Sequence, residues 1–203
     1  MNKTKLTVFA VALAFMSAAG NQTMAQEKPV TFGVKAGASL SSFAGDLKDT
    51  KSALRYRVGL TTDIALSNNL FILTGLDFQT KGVKYASKSG SDVKYNPIYV
   101  QLPVSFAYKF DVGHTTKLLV NAGAYAAYGI AGKIKNDPNK DKESIFSKNG
   151  FKRLDYGLLG GVGVEFGKFA VNAGYEYGLP NINHATGPKI SNRNPYLTVG
   201  YKF

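Results

Sequence analysis

The sequence predicts an all-β protein: an eight-stranded antiparallel transmembrane β-barrel, preceded by a cleavable signal peptide. Apolar residues occupy every second position in stretches that recur from Thr31 to the C-terminus, and this period is typical of strands with one apolar face. Short and long connections alternate between these stretches, and the opposite face carries charges of both signs. A barrel of this kind turns its apolar face outward to lipid.

The N-terminus has the layout of a secretory signal. A short basic start precedes an apolar run over residues 6–16, and Thr23-Met24-Ala25 offers a cleavage site. Basic, apolar and small residues in that order are typical of a signal peptide. An uncleaved N-terminal anchor is the alternative, but the run is too short to span a bilayer as a helix. We therefore expect a signal peptide over 1–25 and an outer-membrane β-barrel domain over 26–203.

Composition narrows the class of protein. The chain has no cysteine, and its net charge of +12 falls by two to +10 when Lys3 and Lys5 leave with the signal. Without cysteine there is no disulfide framework or thiolate metal site. For a secreted chain, the basic balance favours anionic lipid over nucleic acid as the partner, and a solvated basic surface is the alternative. The mean hydropathy of −0.11 suits strands that are apolar on one face only.

The first four strands are predicted from apolar residues at alternate positions. The apolar face begins at Phe32 in the first strand and at Tyr56 in the second. The third strand carries Phe78 on this face, and the fourth alternates strictly as far as Phe110. The predicted ranges are about 30–41, 54–66, 70–81 and 96–110. Pro103 lies within the fourth strand and lacks a backbone N–H, so we expect a β-bulge at Leu102-Pro103.

The last four strands follow the same pattern. The fifth is rich in alanine, which favours a helix, but Gly123 and Gly129 count against that alternative. The sixth, seventh and eighth strands alternate clearly, and the eighth ends the chain. The predicted ranges are about 117–131, 152–166, 169–179 and 197–203.

The connections predict the orientation. Those at 67–69, 111–116 and 167–168 are short, and those at 42–53, 82–95, 132–151 and 180–194 are long and polar. Outer-membrane barrels have short periplasmic turns and long external loops. With an even number of strands, both mature termini are then periplasmic.

The polar faces predict a filled interior. An eight-stranded barrel is just wide enough inside for side chains to fill it, so opposite charges there can neutralise each other and leave no wide pore. Lys109 also falls on this face. The predicted interior charge network consists of Arg55, Arg57, Asp63, Asp77, Lys81, Arg153, Asp155, Glu165 and Glu176.

Aromatic residues concentrate near the predicted strand ends, which indicates a girdle at each membrane interface. Strands favour aromatic residues in general, which is the alternative. At the C-terminus, the alternating strand with its final aromatic residue resembles the signal by which bacterial outer-membrane barrels are inserted. Tyr201 and Phe203 are the residues assigned to this insertion signal.

Several stretches resemble the PorT-like porin family of Bacteroidetes. They are Phe32–Gly37, Ile98–Val104, Asp155–Leu158, Gly161–Phe166 and Tyr175–Leu179. The resemblance implies an outer-membrane location and a small barrel similar to OmpX or OmpA. It implies no single activity, although the PorT protein itself is linked to type IX secretion and gliding.

No catalytic, metal or cofactor motif emerges, so the leading interpretation is a non-enzymatic barrel with a structural or surface-interaction role. One alternative is an accessory component of an envelope machine such as type IX secretion. Another is an outer-membrane lipid-modifying enzyme that uses His184 near Ser191. A soluble lipocalin-like barrel, with the apolar stripe packed inward, is the rival fold.

The expected partners follow from location and charge. Lys133, Lys135, Lys152 and Arg153 lie around the third long connection, and we expect them to contact lipopolysaccharide phosphates. A solvated loop surface is the alternative. Outer-membrane lipid, the barrel-assembly machinery during insertion and an envelope protein are the other expected partners, and nucleic acid is not expected.

Overall fold

The computed structural model describes residues 29–45, 50–82, 84–85, 93–135, 146, 151–182 and 190–203. Eight long strands of this part of the chain form one closed antiparallel barrel, which confirms the predicted fold class. The signal-peptide prediction lies outside the described residues. The long strands are β1 Val30–Gly45, β3 Ala53–Ala65, β4 Leu70–Thr80, β6 Val93–Asp111, β7 Thr116–Lys135, β8 Leu154–Phe166, β9 Phe169–Gly178 and β10 Ile190–Lys202. Two short strands, β2 Thr50–Lys51 and β5 Lys84–Tyr85, pair with each other beside β6.

The barrel closes where the first and last described strands meet. β1 pairs with β10 through Val34↔Tyr201 and with β3 through Val34↔Leu60. β6 pairs with β7 along nearly its whole length and completes the ring. Each long strand thus has two hydrogen-bonded neighbours, as lipid requires, because an open sheet edge there would leave backbone groups unpaired.

The barrel is polar inside and apolar outside. Leu54 on the outer face of β3 is 71% exposed, whereas Arg57 on its inner face is 2% exposed. The same alternation runs along the other long strands. The apolar stripe therefore faces outward, as predicted, and the inward packing of a lipocalin-like barrel is not observed. No helix in the described residues is long and apolar enough to cross a membrane.

The predicted bulge at Leu102-Pro103 is wrong. Pairing between β6 and β7 continues through Pro103↔Tyr125, and its irregularity lies between Ile98 and Tyr99. On the other side, the ladder pauses between Thr74↔Val104 and Asp77↔Gln101 without changing register. In that gap the Thr74 hydroxyl donates to the Pro103 carbonyl at 2.8 Å. This hydrogen bond satisfies the Pro103 carbonyl where the ladder pauses, and the strand carries no extra residue there.

The last strand begins earlier than predicted. β10 starts at Ile190, because Asn192 and Asn194 face the interior and are almost fully buried. Because these buried residues are polar, the alternation of apolar residues does not indicate where the strand begins.

Candidate functional site

Inward side chains form a first group of ions toward the long connections, which we call the upper ion cluster. Its contacts are carried by side chains from several strands rather than from one hairpin. All members except Lys35 are 2% exposed or less. Charges buried to this degree need partners to offset their lost hydration. The cluster consists of Lys35, Arg57, Asp77, Lys81, Asp155 and Glu176.

Arg57 on β3 forms one centre of the upper ion cluster. Its guanidinium donates to the Glu176 carboxylate and, at 2.7 Å, to Gln79 Oε1. The guanidinium carbon lies 4.3 Å from the centroid of the Tyr196 ring. Gln101 Nε2 donates to the same Glu176 carboxylate at 2.7 Å. Residues from five strands therefore converge on one ion pair, which holds these side chains across the interior of the barrel.

Lys81 forms the other centre, just after β4 ends. Its Nζ lies 2.8 Å from Asp155 Oδ2 and 3.7 Å from Glu176 Oε2. The same nitrogen lies 4.3 Å from the centroid of the Tyr125 ring. Asn192 Nδ2 donates to Asp155 Oδ2 at 2.9 Å. Lys81 therefore bridges both carboxylates, so neither is left alone in the interior.

A second group of ions, the lower ion cluster, lies toward the short turns and consists of Asp63, Lys109, Glu165 and Lys202. Lys109 Nζ lies 2.7 Å from Asp63 Oδ2 and 3.0 Å from Glu165 Oε1. Lys202 Nζ lies 2.5 Å from the same two oxygens. Lys109 also lies 4.1 Å from the centroid of the Phe71 ring. Two cations thus share two carboxylates near the end of the barrel where the chain terminates.

The two clusters are electrically balanced. The upper one has three cations and three anions, and the lower one has two of each. Between them lies a cavity of about 90 Å³, which has room for a few water molecules. Its lining includes the small polar residues Thr61, Ser105, Asn121, Asn172 and Thr198 together with the apolar residues Leu73, Leu119 and Leu159. The described interior therefore contains a small chamber of mixed polar and apolar lining, with ion pairs above and below it.

The structure brings together seven of the nine charges assigned to the interior from sequence. Arg55 is half-buried near the upper end of β3 and lies outside the two clusters. Arg153 is exposed at the rim, where it donates to the Gly129 carbonyl at 2.9 Å. Lys35 and Lys202 were missed. The alternation of Leu197, Val199, Tyr201 and Phe203 on the outer face places Lys202 inward, and this signal was available in the sequence.

The basic residues expected to contact lipopolysaccharide lie at the long-connection end. Lys152 is exposed, and its backbone N–H donates to the Ile182 carbonyl at 2.8 Å. The Arg153 guanidinium lies 5.0 Å from the centroid of the Phe146 ring. The side chains of Lys133 and Lys135 lie outside the described residues. Lys152 and Arg153 therefore share one rim and are not joined into a single pocket.

The insertion-signal residues lie at the opposite rim. The Tyr201 ring packs edge to face with Phe169 and Phe203, at centroid distances of 5.3 and 5.8 Å. Lys168 Nζ lies 5.8 Å from the centroid of the Tyr201 ring. The backbone N–H of Phe203 donates to the Phe32 carbonyl at 2.9 Å. The C-terminal aromatics thus belong to an outward-facing aromatic cluster beside β1.

Residues 22–183 match the outer membrane protein β-barrel domain family. The chain belongs to this family, and it is a small barrel of the outer membrane. The PorT-like resemblance is narrower than this family and stays a prediction.

Comparison with solved structures finds similar barrels at low identity. Neisserial surface protein A is 18% identical with a TM-score of 0.49, over 87% of this chain and 100% of that chain. Ail, the attachment invasion locus protein of Yersinia pestis, is 16% identical with a TM-score of 0.47, over 87% and 100%. The outer membrane enzyme PagL is 15% identical with a TM-score of 0.49, over 83% and 98%. A comparison with curated protein sequences gave no match.

Proposed function

We propose that this protein is a closed, non-conducting barrel that serves the outer membrane as a structural or surface-interaction protein. One observation carries the proposal: two balanced ion clusters cross the interior, and each joins side chains from several strands. An ion that moved through the barrel would have to separate buried ion pairs. Breaking such pairs is costly because each partner would be left uncompensated away from water.

Conductance in planar lipid bilayers tests this proposal. Protein whose folded state is established by heat-modifiable gel migration is expected to give no discrete current steps above the lipid background. Regular steps from the folded wild-type protein would contradict the closed state. Protein that denatures during insertion would be recognised by loss of the compact gel species, which separates misfolding from conduction.

The proposal includes orientation and processing. The signal peptide over 1–25 is removed, and both mature termini lie in the periplasm, on the side of the short turns. A protease-sensitive tag fused after Phe203 is expected to survive protease treatment of intact cells and to be cut after permeabilisation. Cleavage in intact cells would contradict this orientation, and mass spectrometry of the purified chain tests removal of the signal.

The proposal also includes lipopolysaccharide as the partner of the external rim. Lys133, Lys135, Lys152 and Arg153 supply positive charge that suits lipid phosphates. Replacing all four by glutamine is expected to lower the lipopolysaccharide retained during purification. A double replacement of Lys117 and Lys168, at the short-turn end, is the matched control and is expected to change little. Equal retention by all three proteins would contradict this assignment.

A further inference from the structure

Unlike the cations of the two ion clusters, Arg193 lies on the outer face of the barrel. Arg193 on β10 pairs across the sheet with Tyr177 on β9, and its guanidinium carbon lies 3.4 Å from the centroid of that ring. Its Nη1 donates to the Gly178 carbonyl at 2.8 Å and to the Ser191 hydroxyl at 3.1 Å. Within the described residues, no carboxylate lies in salt-bridge range of this guanidinium. The contacts therefore fix the position of the Arg193 guanidinium, and its charge has no carboxylate partner among the described residues.

The position of Arg193 along the barrel axis indicates which part of the lipid layer surrounds it. Below it on the outer face of β10 are Pro195, Leu197 and Val199, and then Tyr201 of the opposite rim. Arg193 and Tyr201 are eight positions apart, which is about 20 Å along the barrel axis at about 3.3 Å per residue and a tilt of about 40°. The lipid-facing apolar band of such barrels is about 25 Å tall. Arg193 thus lies at the edge of that band, where the charged groups of lipids begin.

Neighbouring hydroxyl groups add polarity at this edge. Ser42 on β1 lies opposite Arg193, and its hydroxyl donates to the Arg193 carbonyl at 3.3 Å. Ser191 accepts from the guanidinium and lies two positions above it. By the strand alternation, Ser42, Ser191 and Arg193 share the outer face, next to the exposed Tyr177 ring. This polar patch therefore lies where the apolar outer face of β10 ends.

We propose that this patch is a binding site for a phosphate group of lipid A, held by Arg193 against Tyr177. The proposal deepens the proposed function and relies on its orientation, because only the external leaflet offers lipid A. A guanidinium is suited to phosphate since its planar array of N–H groups can donate two hydrogen bonds to one anion. Nη1 makes the contacts to Gly178, Ser191 and the Asn192 carbonyl, and the guanidinium stacks on the Tyr177 ring, so Nε and Nη2 have no hydrogen-bond partner among the described residues. An uncompensated cation at this height is stabilised by an anionic lipid group.

Native mass spectrometry of the mature protein, after removal of the signal peptide, tests the site in mild detergent. The probes are bisphosphorylated lipid A, dephosphorylated lipid A and phosphatidylglycerol. Arg193→Gln is expected to weaken binding of bisphosphorylated lipid A about fivefold, the size expected for one basic group at an anionic lipid surface. Arg193→Lys keeps the charge without the planar fork, so its loss is expected to be smaller. The wild-type preference for bisphosphorylated over dephosphorylated lipid A is expected to shrink in Arg193→Gln.

Lys168→Gln is the matched control, because Lys168 also lies over a tyrosine ring but at the opposite rim. It is expected to bind lipid A as the wild type does. Equal losses in Arg193→Gln and Lys168→Gln, or no loss in Arg193→Gln, would overturn the site. Competition by millimolar inorganic phosphate would assign the patch to free small anions and also overturn it. All variants must keep the heat-modifiable compact form.

These outcomes are separate from those of the proposed function. If the glutamine variant of the four rim residues retains less lipopolysaccharide while Arg193→Gln binds lipid A normally, the rim assignment stands and the Arg193 site is wrong. If the wild-type protein conducts ions but Arg193→Gln still binds lipid A more weakly, the closed-barrel proposal fails and the Arg193 site stands.

Discussion

Lys81 and Asp155 are joined by a 2.8 Å ion pair, although they come from the ends of β4 and β8, which are not neighbours in the barrel. Both side chains are fully buried. The pair therefore ties together two parts of the wall that backbone pairing does not connect. This contact also lies across the upper end of the interior, so in the proposed closed barrel the same residues contribute to stability and to closure.

Lys81→Met is expected to destabilise the barrel by about 3 kcal/mol, because Asp155 and Glu176 would lose a buried partner. The measurement is urea unfolding in detergent, followed by the heat-modifiable gel shift. Lys117→Met is the control, since its 3.6 Å pair with Asp111 reaches solvent, with side chains 29% and 60% exposed. This substitution is expected to change stability by less than about 1 kcal/mol. The double variant Lys81→Met with Asp155→Leu is expected to recover part of the loss. Equal stability of the two single variants would show that the buried pair contributes nothing.

Gly37→Ala is expected to weaken closure of the barrel. A Cβ at Gly37 would lie 2.0 Å from the Leu197 carbonyl oxygen and 2.7 Å from Thr198 Cα, so β1 and β10 would have to move apart. We expect a loss of about 2 kcal/mol, typical of overpacking. At Gly160 the nearest described atom to a new Cβ is the Asn121 carbonyl oxygen at 3.4 Å. Gly160→Ala should therefore unfold close to the wild-type urea midpoint, and an equal shift at both positions would refute the steric account.

Thr74→Val is expected to destabilise the protein by about 1 kcal/mol, because the Pro103 carbonyl would lose its side-chain donor where the β4–β6 ladder pauses. Its cross-strand neighbour Thr62 offers a matched change of the same shape. Thr62→Val is expected to leave stability nearly unchanged. Unfolding in detergent measures both variants, and the reverse order of stability would contradict the role of the hydroxyl.

Phe203→Ala is expected to slow insertion while the finished barrel stays folded. The substitution removes the terminal ring but keeps the backbone N–H that donates to Phe32. Pulse-labelled cells followed by heat-modifiable migration measure the rate. Phe166→Ala removes another exposed aromatic ring at the same rim and is expected to insert at the normal rate. Equal rates for both variants would exclude a special role for the C-terminal residue.

The strands themselves were largely predictable. β7 is alanine-rich, and its glycines correctly indicated a strand rather than a helix. β10 was predicted too short because Asn192 and Asn194 are polar and yet buried. Pro103 predicts a disturbance, and the structure shows a pause in the β4–β6 ladder rather than a bulge, with the Pro103 carbonyl accepting from the Thr74 hydroxyl. Thr74 lies on another strand, so the sequence around Pro103 gives no sign of this hydrogen bond.

The sequence alone was sufficient to predict the number of long strands, the face that each turns to lipid and the alternation of short and long connections. These features depend on the period of the apolar residues and on the length of each connection, both of which can be read from the sequence. The pairing of charges required the closed barrel. Alternation shows that Lys81 and Asp155 both point inward, but not that they meet, because the register and curvature of the wall decide which side chains can reach across it. The same register places Arg193 beside Tyr177 at the outer edge.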